Sequence, residues 1–309
     1  MTDREDLLEE LRPVSFGIAY RMLGSPTEAE DVVQEALLRV DRALERGEEI
    51  SSPRAYVGTV TSRLAIDELR SARARRETYT GEWLPEPIET DPSEDPAGRA
   101  EIADSLSIAF LHLLEQLSPE QRAALLLHDV FGYGYGEIAA VIETSEDNAR
   151  QLASRARKRV EGGRPRFEAD REQAEELAGR FIAAAQDGEL AELESLLSED
   201  VVLHGDGGGK APALARSLHG RGRVAKTLIN WTGLISRLEG AIVRLIELNR
   251  QPAVRFETPK GDLFGIWMLD IAEGQIQGVR GIVNPDKLAR LGTPADVNAI
   301  LDALRSRRG

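Results

Sequence analysis

Residues 136–159, GEIAAVIETSEDNARQLASRARKR, decide the reading of this chain, because they lay two short helices around a tight polar turn. Ile138, Ala139, Val141 and Ile142 give the first helix an apolar face, and Glu143-Thr144-Ser145 supply turn and N-cap chemistry. Ala149, Ala153 and Ala156 then recur at helical spacing, so the second helix turns small residues inward and packs closely. Its other face carries Arg150, Gln151, Ser154, Arg155, Arg157 and Lys158. Planar Arg and Gln side chains suit a DNA major groove, where one side chain bonds two atoms of one base. A solvated helical hairpin with a basic face has the same pattern, and this stretch alone leaves both readings open.

The rest of the chain narrows the choice. Its 309 residues predict two or three domains, and 41% hydrophobic content is ample for buried cores. It contains no run of 18 apolar residues and begins with the charged MTDREDLLEEL, so neither a membrane span nor a signal peptide is expected, and a cytoplasmic protein is. Zero cysteines exclude disulfides, thiolate zinc sites and cysteine nucleophiles. With four scattered histidines, no metal site and no cofactor are expected. The net charge of -14 argues against a protein that coats nucleic acid. Locally, however, Arg63 to Arg76 holds five arginines against Asp67 and Glu68, and Arg150 to Arg166 holds seven basic residues against Glu161 alone. Two basic islands in an acidic chain fit contact with DNA at two places and repulsion elsewhere.

Along the chain, residues 3–23 read as a helix with Leu7, Leu11, Val14, Ile18 and Met22 on one side. A second helix is expected to start at an N-cap Thr27 with Glu30 as capping-box partner, burying Ala29, Val32, Val33, Ala36, Leu37 and Val40. A third runs from about Pro53 to Glu77 and becomes arginine-rich toward its end. Residues 78–98 have four prolines and no helical period, which predicts an extended linker. Within it, Trp83-Leu84 flanked by Pro85, Glu86 and Pro87 reads as an apolar anchor in a stiff strip, or as a passive spacer with one buried Trp. Residues 99–130 predict a helix pair with a Ser118-Pro119 start signal. Gly132-Tyr133-Gly134-Tyr135-Gly136 reads as a turn, since no strand precedes it and no Lys-Ser/Thr follows.

AEDVVQEALLRV (29–40), AYVGTVTSRLAIDELRSARARR (55–76) and LSPEQRAALLLHDVFGYGYGEIAAVI (117–142) with its helix-turn-helix resemble, in order and spacing, the group-four (extracytoplasmic function) sigma factors of bacterial RNA polymerase. The resemblance covers residues 5–160. It implies that Glu28, Asp31, Gln34, Glu35 and Arg39 dock on the polymerase clamp helices, with the flap as a second polymerase contact. It further implies that Arg63, Asp67, Arg70, Arg73, Arg75 and Arg76 meet the minus-10 element and that the 136–159 stretch reads the minus-35 element. Many such factors carry Asn where this chain has Arg63, so no base contact is assigned there. Physically, promoter melting needs a pocket for an unstacked base beside cations, and the turn at Ser51 to Arg54 beside the arginine-rich helix suits it.

Beyond a Gly162-Gly163-Arg164-Pro165 boundary, helices are expected at 173–186 and 190–197, then strands at 201–204, 241–248, 253–257, 263–271 and 275–283, with a helix at about 222–236. Helices that precede a curved antiparallel sheet form an α+β cone. That order resembles the SnoaL-like, NTF2-like fold, whose pocket Trp231, Phe256, Phe264, Trp267 and Met268 are expected to line. His204 with Asp206 is the one nearby acid/base pairing, and its direction toward or away from that pocket separates an enzyme from a binding domain. WLPEP (83–87), DGGGK (Asp206, Gly207, Gly208, Gly209, Lys210) and NPDKL (Asn284, Pro285, Asp286, Lys287, Leu288) together resemble the sigma factors that carry a fused SnoaL-like domain. In that subgroup the extension regulates activity without a separate anti-sigma protein.

The expected architecture is therefore multidomain: two all-α helical domains, at 1–80 and 99–161, joined by a proline-rich linker at 81–98 and followed by an α+β cone at 165–309. The expected function is promoter-specific initiation with RNA polymerase core and promoter DNA as partners, tuned in cis, with no catalytic residues and no membrane contact. The competing reading is a DNA-binding sensor whose cone is a small-molecule cyclase, an isomerase or a ligand switch, with an unidentified small molecule in its pocket.

Overall fold

The structure is a computed structural model and describes residues 2–90, 105–161 and 171–306. Those within Met1–Thr78, Gly98–Leu106 and Phe110–Arg164 form one compact unit, and those within Tyr79–Ala97, Ser107–Ala109 and Pro165–Gly309 form a second. The expected boundary at 162–165 and the linker beyond residue 90 lie outside the described residues.

In the first unit the apolar spacing of the N-terminal third produces α1 (Thr2–Leu23), α2 (Pro26–Glu45) and α3 (Pro53–Glu77), each packed on the other two. Ile18, Met22, Val33, Ala36, Val40, Val57 and Ile66 are buried in their core. α2 starts two residues earlier than its sequence predicts. Ser25 is the N-cap and accepts from Glu28 N at 3.4 Å, with Pro26 in the first turn where its missing N–H costs nothing. The next four helices are α4 (Ile108–Leu114), α5 (Pro119–Asp129), α6 (Tyr135–Val141) and α7 (Glu146–Glu161). Ser118 and Gln121 close a reciprocal capping box at the start of α5, as Ser118-Pro119 predicts. α5 packs on α7 and also on α1 and α3.

The second unit begins its C-terminal part with α8 (Arg171–Asp187) and α9 (Leu190–Leu196), which runs directly into β1 (Leu197–Asp206). β2 (Leu218–His219) and α10 (Arg221–Ile235) precede β3 (Ile242–Leu248), β4 (Gln251–Glu257), β5 (Leu263–Ala272) and β6 (Gln275–Ile282). Two short helices follow, α11 (Pro285–Leu288) and α12 (Val297–Ser306). The sheet order is β2-β1-β6-β5-β4-β3. It departs from the expected all-antiparallel sheet: β1 and β6 pair in parallel, with His204 opposite Arg280 and Gly205 opposite Gly281. β3 to β6 are successive hairpins, and Asn249 and Arg250 turn the first of them with φ of 51° and 58°.

Side chains alternate across a strand, so each strand sorts its residues onto two faces. Leu203, Val254, Phe256, Trp267, Leu269 and Val279 share one core with α8, α9 and α10. His204, Met268, Asp270 and Arg280 fall on the other face, and residues 79–90 run across it as an extended strap. Leu84, Pro85 and Pro87 of the strap are buried. Ile88 N donates to Asn249 Oδ1 at 2.9 Å and Asn249 N donates to Ile88 O at 3.0 Å, which ties the strap to the β3–β4 turn. Among the described residues no helix is long and apolar enough to cross a membrane.

Candidate functional site

The helix-turn-helix forms as its sequence predicts. Glu143, at φ 55°, turns the chain between α6 and α7, and Ser145 Oγ accepts from Asn148 N at 3.2 Å to cap α7. Ala149, Ala153, Ala156 and Val160 are buried. Gln151, Ser154, Arg155 and Lys158 are exposed on the opposite side. Arg150 and Arg157 are held instead. Arg150 pairs with Glu146 at 2.9 Å and lies 5.1 Å above the Tyr135 ring. Arg157 donates to both carboxylate oxygens of Asp129, at 2.8 and 2.5 Å, and to Tyr135 Oη at 3.3 Å. Its hydrogen bond to Asp129 holds the guanidinium above its ordinary value.

The arginines of α3 are also engaged, with partners from the second half of the same unit. Arg63 donates to Ala140 O at 2.7 Å, at the C-terminal end of α6. Arg70 bridges Asp67 at 3.1 Å and Glu120 at 2.8 Å. Arg76 pairs with Glu115, lies 3.7 Å from Glu28 and donates to Leu23 O at 2.5 Å. Glu115 also binds Arg122 at 2.6 Å, and Arg122 is 1% exposed. Burial raises the Glu115 carboxyl, but the charges of Arg122 and Arg76 outweigh it and hold the group below its ordinary value. The hydroxyl end of Tyr133 lies against Gly58, where an added Cβ would not fit. The side chains of Arg73 and Arg75 lie outside the described residues. On α2, Asp31, Gln34 and Arg39 are exposed, Glu35 pairs with Arg39 at 2.7 Å, and Leu38 is 42% exposed between them.

In the second unit WLPEP, DGGGK and NPDKL meet at one carboxylate. Asp206 is fully buried and accepts from four donors: Tyr79 Oη at 2.5 Å and Gly208 N at 3.1 Å on one oxygen, Leu84 N at 2.9 Å and Lys287 Nζ at 2.7 Å on the other. Lys287 also donates to Leu84 O and stands 4.2 Å above the Trp83 ring. Asn284 Nδ2 donates to Tyr79 Oη at 2.8 Å, and Asn284 Oδ1 caps α11. Burial first, then the hydrogen bond to Asp206, raises the Tyr79 phenol well above its ordinary value and keeps it a donor. The glycines of DGGGK are needed at this spot. Gly208 and Gly209 have φ of 59° and 71°, and a Cβ on them would press on Asn284 and Thr80 at 2.4 and 3.0 Å. Lys210 reaches Asp286 at 2.5 Å. The apolar anchor of the strip is Leu84, fully buried, whereas Trp83 is half-buried against the Lys287 ammonium. Tyr79 and Glu82 belong to this junction too. Sequence reasoning missed both, because the reading centred on WLPEP and they lie just before it.

A cavity of about 80 Å³ lies on the helix side of the sheet. Trp231, Phe256, Phe264 and Trp267 line it as expected. Met268 does not, since it follows Trp267 on the strand and faces away. His204 and Asp206 do not line it either: His204 Nδ1 is 2.7 Å from Glu82 Oε1 of the strap, and Asp206 is the junction carboxylate.

Helical bundles with a helix-turn-helix, followed by an α+β cone built on a six-stranded sheet, define the class of protein this is. Residues 7–75 match the Sigma-70 region 2 family and residues 107–160 the Sigma-70 region 4 family. The chain is 39% identical over 297 residues to the ECF RNA polymerase sigma factor SigJ of Mycobacterium tuberculosis, covering 93% of each protein. It is 32% identical to the probable ECF RNA polymerase sigma factor SigI of the same organism, covering 88% of this chain and 90% of that one. The crystal structure of the M. tuberculosis extracytoplasmic function sigma factor SigJ matches with a TM-score of 0.72 at 36% identity, over 93% of this chain and 98% of that one. The chain belongs to the ECF RNA polymerase sigma factors.

Proposed function

We propose that this protein directs RNA polymerase core to promoters in the cytoplasm and that its cone domain tunes this activity through the strap, without catalysis. The convergence of WLPEP, DGGGK and NPDKL on the buried Asp206 carries the regulatory part of this reading. Four donors on one buried carboxylate make a junction that is stable when complete and costly when one member is lost. The strap belongs to the chain between α3 and α4, so its capture sets how far the two DNA-contacting regions can separate. The tether also keeps the local concentration near millimolar, so modest contacts suffice.

In this reading Gln151, Ser154 and Arg155 meet base edges of the minus-35 element, Lys158 meets phosphate, and Arg150 reaches the groove from its perch on Tyr135. Arg157 braces α7 against α5 through Asp129. Arg63, Arg70 and Arg76 meet the minus-10 element only after leaving Ala140 O, Glu120 and Glu115 in the second half of the unit, so this arrangement of the helices is a closed one. Asp31, Gln34, Glu35, Leu38 and Arg39 present one helical face to the clamp helices. The groove between α4, α5 and α7, with Phe110, Leu125, Val130 and Val160 in its wall, receives the flap. The engaged state of His204 and Asp206 weighs against a cyclase or isomerase.

The test is transcription from a cognate promoter by the full-length protein, by a truncation near residue 165, and by Trp83→Ala and Lys287→Met. Output should change in all three altered forms. Equal output across the set would sink the regulatory reading and leave the sigma activity standing.

A further inference from the structure

The cone carries a stretch of sequence that lies outside both basic islands of the helical domains. A chain with 53 acids in 309 residues places none between Asp206 and Glu239. The same stretch holds Lys210, Arg216, Arg221, Arg223, Lys226 and Arg237. Lys210 is held by Asp286. The other five form no ion pair among the described residues, whereas Arg171, Arg180, Arg244 and Arg255 of the same unit each have an acid. Arg221 Nε is buried with no hydrogen-bond partner among the described residues. Glu194 of α9 borders the first turn of α10, with Oε1 3.3 Å from a Cβ built on Gly222, and sets one negative charge against five positive ones. The helix turns its cations outward. Val224, Ala225, Leu228, Thr232 and Ile235 are buried and fix its inner side, while Arg223, Lys226, Asn230, Gly233 and Arg237 follow at helical spacing and are all exposed. No acid and no large apolar side chain interrupts that row.

We infer that the outer row of α10, with Arg216 and Arg221 at its leading end, binds the sugar-phosphate backbone of DNA without reading sequence. The sign of the partner follows from the cations, which no acid of the protein neutralises. Its class follows from what the row lacks. A protein interface is built on buried aromatic and aliphatic anchors, and this row offers cations, an amide and a glycine. Those are the groups that bond phosphate oxygens, and Gly233 leaves room for a strand to approach the helix. From Arg223 to Arg237 the row spans about 21 Å, which is the axial rise of about six nucleotides of one strand. A few phosphate contacts are weak by themselves. They gain weight because the same chain carries the helix-turn-helix, so the cone meets DNA at the raised local concentration that a tether provides. The cone thereby acts on DNA binding by a second route, separate from the junction at Asp206.

The test is binding of full-length protein to a fluorescent duplex without promoter elements, followed by anisotropy across a salt series. Each phosphate contact contributes about 0.9 to the slope of log affinity against log salt. Arg223→Gln and Lys226→Gln should each lower the slope by about that amount and the double variant by about twice as much, while Asn230→Lys should steepen it by one such step. Arg180→Gln removes the same charge from the cone at a position already paired with Glu192, and should leave the slope unchanged. All these positions are exposed, and equal thermal midpoints confirm that the fold is kept. The α10 variants should weaken promoter and scrambled duplexes by the same factor, whereas loss of a base contact on α7 weakens the promoter alone, so the two readings fail separately. No binding by the unmodified protein at low salt, or equal slopes for Lys226→Gln and Arg180→Gln, overturns the inference. Unchanged slopes together with weaker binding of RNA polymerase core also overturn it, and assign the row to an acidic protein surface.

Discussion

The two basic helices of this protein look alike in sequence and differ in the structure. α3 concentrates arginines at its C-terminal end and α7 displays them along one side. On α3, Arg63, Arg70 and Arg76 each have a partner 77, 50 or 39 positions away in the chain. On α7, Arg155, Lys158, Gln151 and Ser154 are exposed, and the engaged arginines find acids either one turn away, at Glu146, or on the neighbouring α5, at Asp129. An arginine run thus states that a helix is charged, while its availability depends on carboxylates that sequence proximity does not reveal. α7 presents its polar face to solvent as it stands, and α3 does not.

The sharpest way to break this contrast is at the buried end of the α3 network. Glu115→Ala leaves Arg122 with a buried charge and no acidic partner among the described residues, and should cost about 3–5 kcal/mol in a urea titration followed by helical signal. Replacing Glu115 and Arg122 together by Met should recover part of that loss, because the buried Arg122 charge is gone while Arg76, which also loses Glu115, keeps Glu28 and Leu23 O. The same carboxylate predicts a pH dependence. Its folded value lies below the ordinary 4.5, so its contribution is fully present above 4.5 and is lost as pH falls below that toward the folded value. Glu115→Gln should flatten stability against pH in that window. An unchanged acid profile would mean that other carboxylates dominate.

The same logic explains how much was legible in the sequence. Helical spacing in α1, α2 and α3, the Ser118-Pro119 start signal and the helix-turn-helix are local, and they stand within a few residues of where the sequence places them. The start of α2 was misjudged because Ser25 and Thr27 are both good caps and Pro26 decides between them. The parallel β1–β6 pair was not legible, because strand direction depends on the path the chain takes between them. The motifs WLPEP, DGGGK and NPDKL could be marked as belonging together, but their meeting point could not. Asp206 and Lys287 are 81 positions apart, and only the fold makes the first a buried acceptor for the second. The aromatic pocket was legible up to Trp267 and failed at Met268, where strand alternation, read one residue further, puts the side chain on the other face.

A smaller effect is expected at the exposed side of the contrast. Arg155→Ala should weaken binding of a promoter duplex by about 1–3 kcal/mol relative to a scrambled duplex, measured by fluorescence anisotropy, while polymerase association is unchanged. Arg157→Ala should behave differently if Arg157 is a brace. The bidentate pair with Asp129 is then lost, α7 is less firmly held, and affinity for both duplexes falls together with the thermal midpoint. A selective loss of promoter affinity in Arg157→Ala would return that residue to the reading face.

The smallest effect tests whether the pairing of α3 is a true restraint on DNA binding. Arg70 and Glu120 are 56% and 32% exposed, so their bridge contributes only about 0.2–1 kcal/mol and is screened by salt. Glu120→Gln should therefore raise the affinity of the free protein for minus-10 DNA by a few-fold at most, and only at low ionic strength. The gain must pass through Arg70, because the substitution also removes one negative charge and would strengthen DNA binding slightly wherever it lay. Arg70→Ala separates the two effects. If Glu120→Gln still improves binding in the Arg70→Ala background, the gain is a field effect of net charge. If the gain disappears there, Glu120 competes with DNA for Arg70, and the acidic residues of the second half of the unit act as internal stand-ins for the phosphates.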